Sequence, residues 1–550
     1  VHRPAWRVHT FVVPAPGVPL RTRTPLSAVT LAALLVLTAC GGGGQSSSEK
    51  SADATPVKGG NLTFAISVDS GCIDPQQVGN NDALNIGRQL VDSLTVQDLD
   101  GKIQPWLAQT WEVSPDAKTF TFHLREGATF SDGTPVDSAA VKANLDGIVA
   151  LGAKASLGST YLQGYTGTQT PDAQTAVVTF AQPSAQFLQA TSTMSLGLLS
   201  VPTTTADPAT RCDGSTLVGS GPFTVGSYAN GSKTVLKKRT GYDWAPTGAK
   251  HQGEAYLDTI TYEVVPEASV RTGSLQSKQI DATTGIASQD LPQFDGNGFW
   301  TQRRANPGIP YNFFPNESRP IFSDIRVRQA FSKAVDRKTL ASILNPGDVA
   351  VSSALSASTP LASDDSKDLA LDVAGANELL DEAGWVKGAD GVRAKDGKKL
   401  TVTVTFWQPT TAVLELVQQQ ERAVGIDLQL KQGTTAETTA LQNSGDYDVL
   451  FYNLTRSDPD VLRTIFSTET RNVNHRAHSQ VDDLLTQQAA TTDTAQRAQL
   501  VAQASKLLVE EAHSIPLIEL STVIAANEDV HDLQFEGSSR LWFYDAWKQA

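Results

Sequence analysis

From about residue 59 to the end of the chain two hydrophobic periods alternate, and this restricts the fold more than any single motif does. In "TFTFHL" the apolar residues Phe120, Phe122 and Leu124 fall at every second position, and "KLTVTVTFW" repeats the spacing with Leu400, Val402, Val404 and Phe406. Successive side chains of an extended strand point to opposite faces, so both read as half-buried strands. Other segments follow the helical period. Ser479 is placed to cap a helix carrying Val481, Leu484 and Leu485, and after Asp493 the residues Leu500, Ala504, Leu507 and Leu508 form one apolar face. "LLDEAGW" reads as a helix stopped by Gly384. Strands interleaved with helices predict an α/β protein with mixed sheets, and 550 residues suffice for about two to four domain-sized units.

A segment of another kind lies ahead of this body. Arg3, Arg7, Arg21 and Arg23 precede the apolar run Leu26 to Ala39, and no acid occurs before Glu49; this is a positive n-region followed by an h-region. The run would span about 21 Å as a helix, short of the roughly 30 Å hydrocarbon core of a bilayer. The residues Leu37, Thr38, Ala39 and Cys40 resemble the bacterial lipobox, in which the cysteine is acylated and becomes the mature N-terminus. Residues 1–39 are therefore expected to be a lipoprotein signal peptide, and 40–57 a Gly/Ser-rich tether, a coil spanning roughly 20 to 25 Å. No later window approaches a membrane span, so the body is expected to be soluble, outside the cytoplasm and anchored to the cell membrane through Cys40. In an oxidising compartment the remaining pair, Cys72 and Cys212, suggests a disulfide, with two buried free thiols as the alternative.

Signals for chemistry are few. The formal charge of −14 and the lack of a basic stripe argue against a nucleic-acid partner. The eight histidines form no HExxH, and His475 and His478 in "HRAH" read as solvated residues before a capped helix. No GxSxG elbow is present. In "GSYANGSKT" Ser232 occupies the slot of a Walker lysine, and "ANGSK" reads as the turn of a hairpin. Asp458 and Asp460 flank Pro459, an arrangement that suits a turn. Neither a catalytic residue, a cofactor nor a metal site is expected.

Several longer phrases, taken in order, resemble a known family. They begin with "GGNLTFAISVDSGCIDPQQ" and "PWLAQTWEVSPDAKTFTFHLREGATFSDGTPVDSAAVKANL", the most specific of them. "GSGPFTVGSYANGSKTVLKK", "NESRPIFSDIRVRQAFSKAVDR", "ANELLDEAGWVKGADGVRAKDGKKL" and "SGDYDVLFYNLTRSDPD" follow. Over residues 58 to 520 the chain resembles the peptide/nickel group of ABC-transporter solute-binding proteins, family 5. The resemblance implies a two-lobed periplasmic-binding-protein-like fold of class II, in the large cluster with an extra domain, its mixed sheets joined by a hinge. Lobe I is expected from 58–97, 199–305 and 512–550, with an inserted subdomain at 98–198, and lobe II from 306–511. The implied function is to bind oligopeptides or dipeptides between the lobes, as a monomer, and deliver them to an ABC permease and ATPase. A nickel chelate, sugar or other small solute is the alternative within the family; a ligand sensor or secreted enzyme lies outside it.

The same resemblance nominates ligand-binding residues. In the family's peptide binders an aspartate after the second-lobe strand pairs with the peptide amine, which transfers to Asp458, although the loop "NLTRSDPD" is shorter here. Arg456 beside it either takes the amine's place or neutralises Asp458, and an anionic solute would then fit better. Trp407, following a strand, either faces the cleft or packs in the core. Tyr452 and Asn453 end the "YDVLFY" strand, where alternation turns only one of them inward. Asp69 and Ser70 lie in the loop before Cys72, either at the ligand or simply shaped by the disulfide, and Asn316 is expected to hydrogen-bond backbone at the start of lobe II.

Overall fold

The computed structural model describes residues 55–343, 349–408 and 411–549. The expected signal segment, Cys40 and residues 41–54 of the tether lie outside them. Among the described residues no helix is long and apolar enough to cross a membrane.

The first lobe is built on a seven-stranded sheet. Across it the strands run Phe299–Ala305, Ser521–Asn527, Ala282–Thr284, Asn61–Ile66, Thr259–Val264, Lys233–Lys238 and Phe223–Ala229. Asn61–Ile66 is parallel to both its neighbours, and the outer pairs are antiparallel. Strands buried on both faces lose strict alternation, and Asn61–Ile66 shows why. Leu62, Phe64 and Ile66 enter the main core, while Ala65 between them packs into a second cluster with Leu275, Ile280 and Phe294. The helix Asn81–Leu90 is capped by the Asn80 side chain, which accepts from the Ala83 N–H. A Cβ on Gly219 would stand 1.9 Å from the Leu90 carbonyl oxygen, so the glycine of "GSGPF" is required by the close approach of this loop to the helix end. Phe223–Ala229 and Lys233–Lys238 form the hairpin read from "ANGSK".

Within residues 98–198 the strands Ala108–Val113, Thr119–Leu124, Thr175–Phe180 and Tyr165–Asp172 form a separate antiparallel sheet, in that order. Phe120, Phe122 and Leu124 are buried and the residues between them half-buried, the period-two pattern read from "TFTFHL".

The second lobe holds a five-stranded sheet in the order Asp427–Gln432, Thr401–Phe406, Val449–Thr455, Gly308–Pro315, Ile515–Ile518. Helices cover both faces, and residue parity decides which. Phe313, Val449 and Phe451 pack with Phe331, Leu380 and Val417 on one side. Phe314, Leu450 and Tyr452 pack with Leu462, Leu485 and Leu508 on the other. The helices Gln480–Ala489 and Thr494–Glu510 begin at Ser479 and Asp493, whose side chains cap them. Val373–Glu382 ends just before Gly384, which adopts φ +84°.

Two chain crossings join the lobes, Ala305 to Gly308 and Ile518 to Ser521, and they lie side by side. Ala305 stands opposite Ser521 in the sheet, the Asn306 N–H donates to the Leu520 carbonyl at 2.8 Å, and Thr522 Oγ1 donates to Asn306 Oδ1 at 2.9 Å. The expected return to lobe I at 512 falls early. After the helix Thr494–Glu510, the fully buried strand Ile515–Ile518 still pairs with Gly308–Pro315, Tyr311 opposite Ile518, so the crossing occurs at 519–520.

Candidate functional site

The strand Val449–Thr455 delivers its end to the interface between the lobes. There Thr455, Arg456 and Ser457 face Tyr161 and Ser195 of the inserted subdomain, and Ser538 and Arg540 of the C-terminal segment, across a cavity with an apolar wall of Leu84, Leu157 and Met194. About 20 Å³ is open to the centre of a water molecule, room for about one water. A larger solute reaches this cavity only when the lobes move apart. The hinge is adjacent: the Arg456 N–H donates to the Pro307 carbonyl at 3.0 Å. Gly308, at φ +111°, has no space for a side chain, since a Cβ would lie 2.3 Å from the Leu454 carbonyl oxygen.

The cavity wall carries polar atoms without partners. The Arg456 guanidinium sits 4.3 Å above the Tyr161 ring and donates from Nη2 to Thr160 Oγ1 at 2.7 Å, while its Nε is buried and unpartnered. Arg540 donates from Nη1 to the Ser538 carbonyl at 3.0 Å, and its Nε is likewise unpartnered. Ser195 Oγ and Ser457 Oγ share that condition. Buried polar atoms in folded proteins are nearly always hydrogen-bonded, so four such atoms around one cavity mark it out. Burial holds Arg540 below the ordinary guanidinium range, and the charge of Arg456 acts in the same direction, with Glu536 and Tyr161 opposing.

The residues nominated from sequence are dispersed. Asp458 is buried, but both its carboxylate oxygens accept from Arg497 of the helix Thr494–Glu510, at 3.0 and 2.5 Å, and one also accepts from the Asp460 N–H at 2.8 Å. In this geometry Asp458 is held in an ion pair with Arg497 and does not line the cavity. Asp460 is engaged in the same way by Arg463 at 2.8 and 2.7 Å. Tyr452 belongs to the second-lobe core, its ring stacked on Phe314 at 4.4 Å, and burial pushes its hydroxyl up to about 12. Trp407 packs against Tyr452 with ring centres 5.2 Å apart, the core alternative. Asn453 is half-buried and its Oδ1 accepts from Gln408 Nε2 at 3.3 Å. Of the second-lobe candidates only Arg456 lines the cavity.

Asp69 and Ser70 belong to a different neighbourhood. The Asp69 carboxylate accepts from the Tyr228 hydroxyl at 3.0 Å and the Gly231 N–H at 2.7 Å, which fastens the loop to the hairpin tip, and the Ser70 hydroxyl donates to the Cys72 carbonyl at 3.0 Å. Cys72 and Cys212 are joined in a disulfide. Asn316 Nδ2 donates to the Gly445 and Tyr447 carbonyls at 2.9 and 3.0 Å, a backbone role. No group of three or more His, Cys, Asp or Glu among the described residues is arranged to hold a metal ion.

Sequence reasoning missed Arg540, Ser195, Ser457 and Tyr161. Ser457 adjoins Arg456 in the quoted loop but carries no motif of its own, whereas Arg540 lies 84 positions from Arg456, and Tyr161 and Ser195 reach it only where the lobes meet.

Comparison with known proteins supplies the wider setting. Residues 102–473 match the family described as bacterial extracellular solute-binding proteins, family 5 Middle. The glutathione-binding protein GsiB of Escherichia coli O6:K15:H31 is 25% identical over 511 residues, covering 88% of this chain and 94% of that protein. Among solved structures, NikA from Brucella suis in complex with Fe(III)-EDTA matches at a TM-score of 0.77 and 24% identity, covering 89% of this chain and 100% of that one. The oligopeptide-binding protein AppA from Bacillus subtilis, in complex with a nonapeptide, matches at 0.73 and 20% identity, covering 90% and 100%. These likenesses agree with the architecture of two mixed-sheet lobes. A family match over more than half of the chain places it among the bacterial extracellular solute-binding proteins, family 5, and so makes it the solute-binding component of an ABC importer, a transport protein with no enzymatic reaction of its own.

Proposed function

We propose that the solute is a small peptide or peptide-like molecule, enclosed between the lobes at the cavity of Arg456 and Arg540 and handed to the permease when the hinge opens. The observation that supports this most is the cavity itself: both lobes contribute to it, it abuts a crossing, and its wall holds four buried polar atoms without partners. Relatives named for glutathione and for an oligopeptide support this choice of solute class. Native mass spectrometry of the domain from residue 58 onwards, after incubation with mixed di- to nonapeptides, tests it. Peptides are expected to be retained; retention of metal chelates or sugars alone overturns the peptide assignment.

The working protein is a monomer held at the outer face of the cell membrane by an acylated Cys40, with residues 41–57 as a tether long enough to let it dock and release. Cys40→Ser, expressed in a bacterial host with a lipoprotein pathway, is expected to move the protein from the membrane to the soluble extracytoplasmic fraction. An unchanged membrane fraction would discard the anchor.

A further inference from the structure

Buried arginines in this protein fall into two groups, and two of them fit neither. One group is ion-paired: Arg88 with Glu536 at 3.0 Å, Arg211 with Asp74 at 2.8 Å, Arg476 with Asp482 at 2.7 Å and Arg497 with Asp458. The other group lacks a close acid, but each member donates to at least three carbonyl oxygens. Arg337 donates to the carbonyls of Pro516, Ser332 and Leu369, and Arg271 to those of Val265, Pro266 and Gly285. Arg456 and Arg540 are 7% and 5% exposed, and each makes a single side-chain hydrogen bond. Among the described residues neither has a carboxylate within ion-pair distance. Nearby acids are already used: Asp458 by Arg497, and Glu536 by Arg88.

The two guanidinia approach from opposite lobes. Arg456 follows the central strands of lobe II, whereas Arg540 precedes Leu541, whose N–H donates to Asn85 Oδ1 on the first-lobe helix. Closing the lobes therefore brings two like charges to one desolvated cavity. Removing a charge from water is costly unless an opposite charge meets it, and a guanidinium presents a planar fork that matches a carboxylate. The Ser195 and Ser457 hydroxyls add two neutral donors to the same wall.

We infer that Arg456 and Arg540 form a two-lobe clamp for a carboxylate of the solute, and that the solute's negative charge is what lets the lobes close on it. The inference rests on the cavity being the solute site. It adds that the solute is an anion there, such as a peptide with a free C-terminal or side-chain carboxylate, and that repulsion between the clamp's halves opposes closure of the empty protein. A binding site with one guanidinium per lobe couples charge recognition to domain closure, because the anion meets both charges only when the lobes come together.

Two measurements test this separately from the peptide assignment. The first uses calorimetric titration with a mixed tripeptide pool bearing free C-termini and the same pool carrying C-terminal amides and no acidic side chains. Free acids are expected to bind at least about 10-fold more tightly, and Arg540→Gln to erase that preference while Arg540→Lys retains part of it. Equal affinity for both pools, or a preference untouched by Arg540→Gln, overturns the clamp and leaves the peptide reading standing. The second measures the solute-free protein by small-angle scattering. Arg540→Gln is expected to shift it towards the compact form, and a scattering profile identical to wild type overturns the repulsion even if no peptide binds. Matching circular dichroism and urea midpoints show that the variants fold.

Discussion

Asp458 and Arg456 stand two positions apart and have opposite fates, because what a charged side chain does depends on which partner the fold brings to it. Arg497 reaches Asp458 from 39 residues away and takes both oxygens. That partner could not be read from "RSDPD", whereas the turn itself could. Removing one member of a buried pair leaves the other charge uncompensated, so Asp458→Asn is expected to cost about 3 kcal/mol of stability. Solute affinity should change by less. Urea unfolding beside calorimetric titration checks both, and lost affinity at unchanged stability would restore Asp458 to the ligand. His513 gives a pH dependence of known sign. Burial opposes its charge, but hydrogen bonds to Glu317 and Glu511 outweigh it and hold its pKa above the ordinary value. A raised pKa stabilises the fold fully below the unfolded value, about 6.5, and the contribution is lost as pH rises through the folded value. The stability difference between wild type and His513→Gln is therefore expected to be largest below about pH 6.5 and to shrink as pH rises above it, as read by urea midpoints on both sides of that value.

At the scale of elements, sequence periodicity carried far because the sheets obey it. Leu400, Val402, Val404 and Phe406 are buried at period two, and the helices begin at the caps read from Ser479 and Asp493. The pattern fails where an element is apolar throughout. "IPLI" has no alternation to say which lobe owns it, and the structure gives it to the second. Parity could say that Tyr452 and Asn453 point oppositely, but not that helices cover both faces of the sheet, so the inward side of Tyr452 is core rather than cleft. The first crossing is joined to the site by Gly308, whose positive φ brings it against Leu454 and Arg456. Adding a methyl group there combines left-handed strain with a clash against backbone. Gly308→Ala is expected to cost about 2 kcal/mol or more and to weaken solute binding by displacing the loop of Arg456. Chemical denaturation and titration on the same preparation measure the two effects, and a variant with wild-type stability would show that the crossing is less tightly packed than its geometry states.

The whole molecule has separate cores for its lobes, joined only by short crossings and the closed interface, so stabilising devices act locally. Leu62, Phe64 and Tyr262 pack in one core, while Phe313, Val404 and Phe451 pack in another. The Cys72–Cys212 link closes a loop with a sequence separation of 140, and both ends lie in the first lobe. By the chain-entropy estimate such a loop contributes about 5 kcal/mol at most, because the crosslink removes freedom from the unfolded chain. That gain belongs to the unfolding of lobe I. Replacing both cysteines by serine is therefore expected to speed amide exchange in Asn61–Ile66 and Thr259–Val264 and to leave Thr401–Phe406 and Val449–Thr455 near their wild-type rates. Hydrogen–deuterium exchange read by mass spectrometry resolves the two regions in one experiment. Equal acceleration in both sheets would mean that the lobes unfold as one cooperative unit, and the closed interface would then contribute as much to cooperativity as either core.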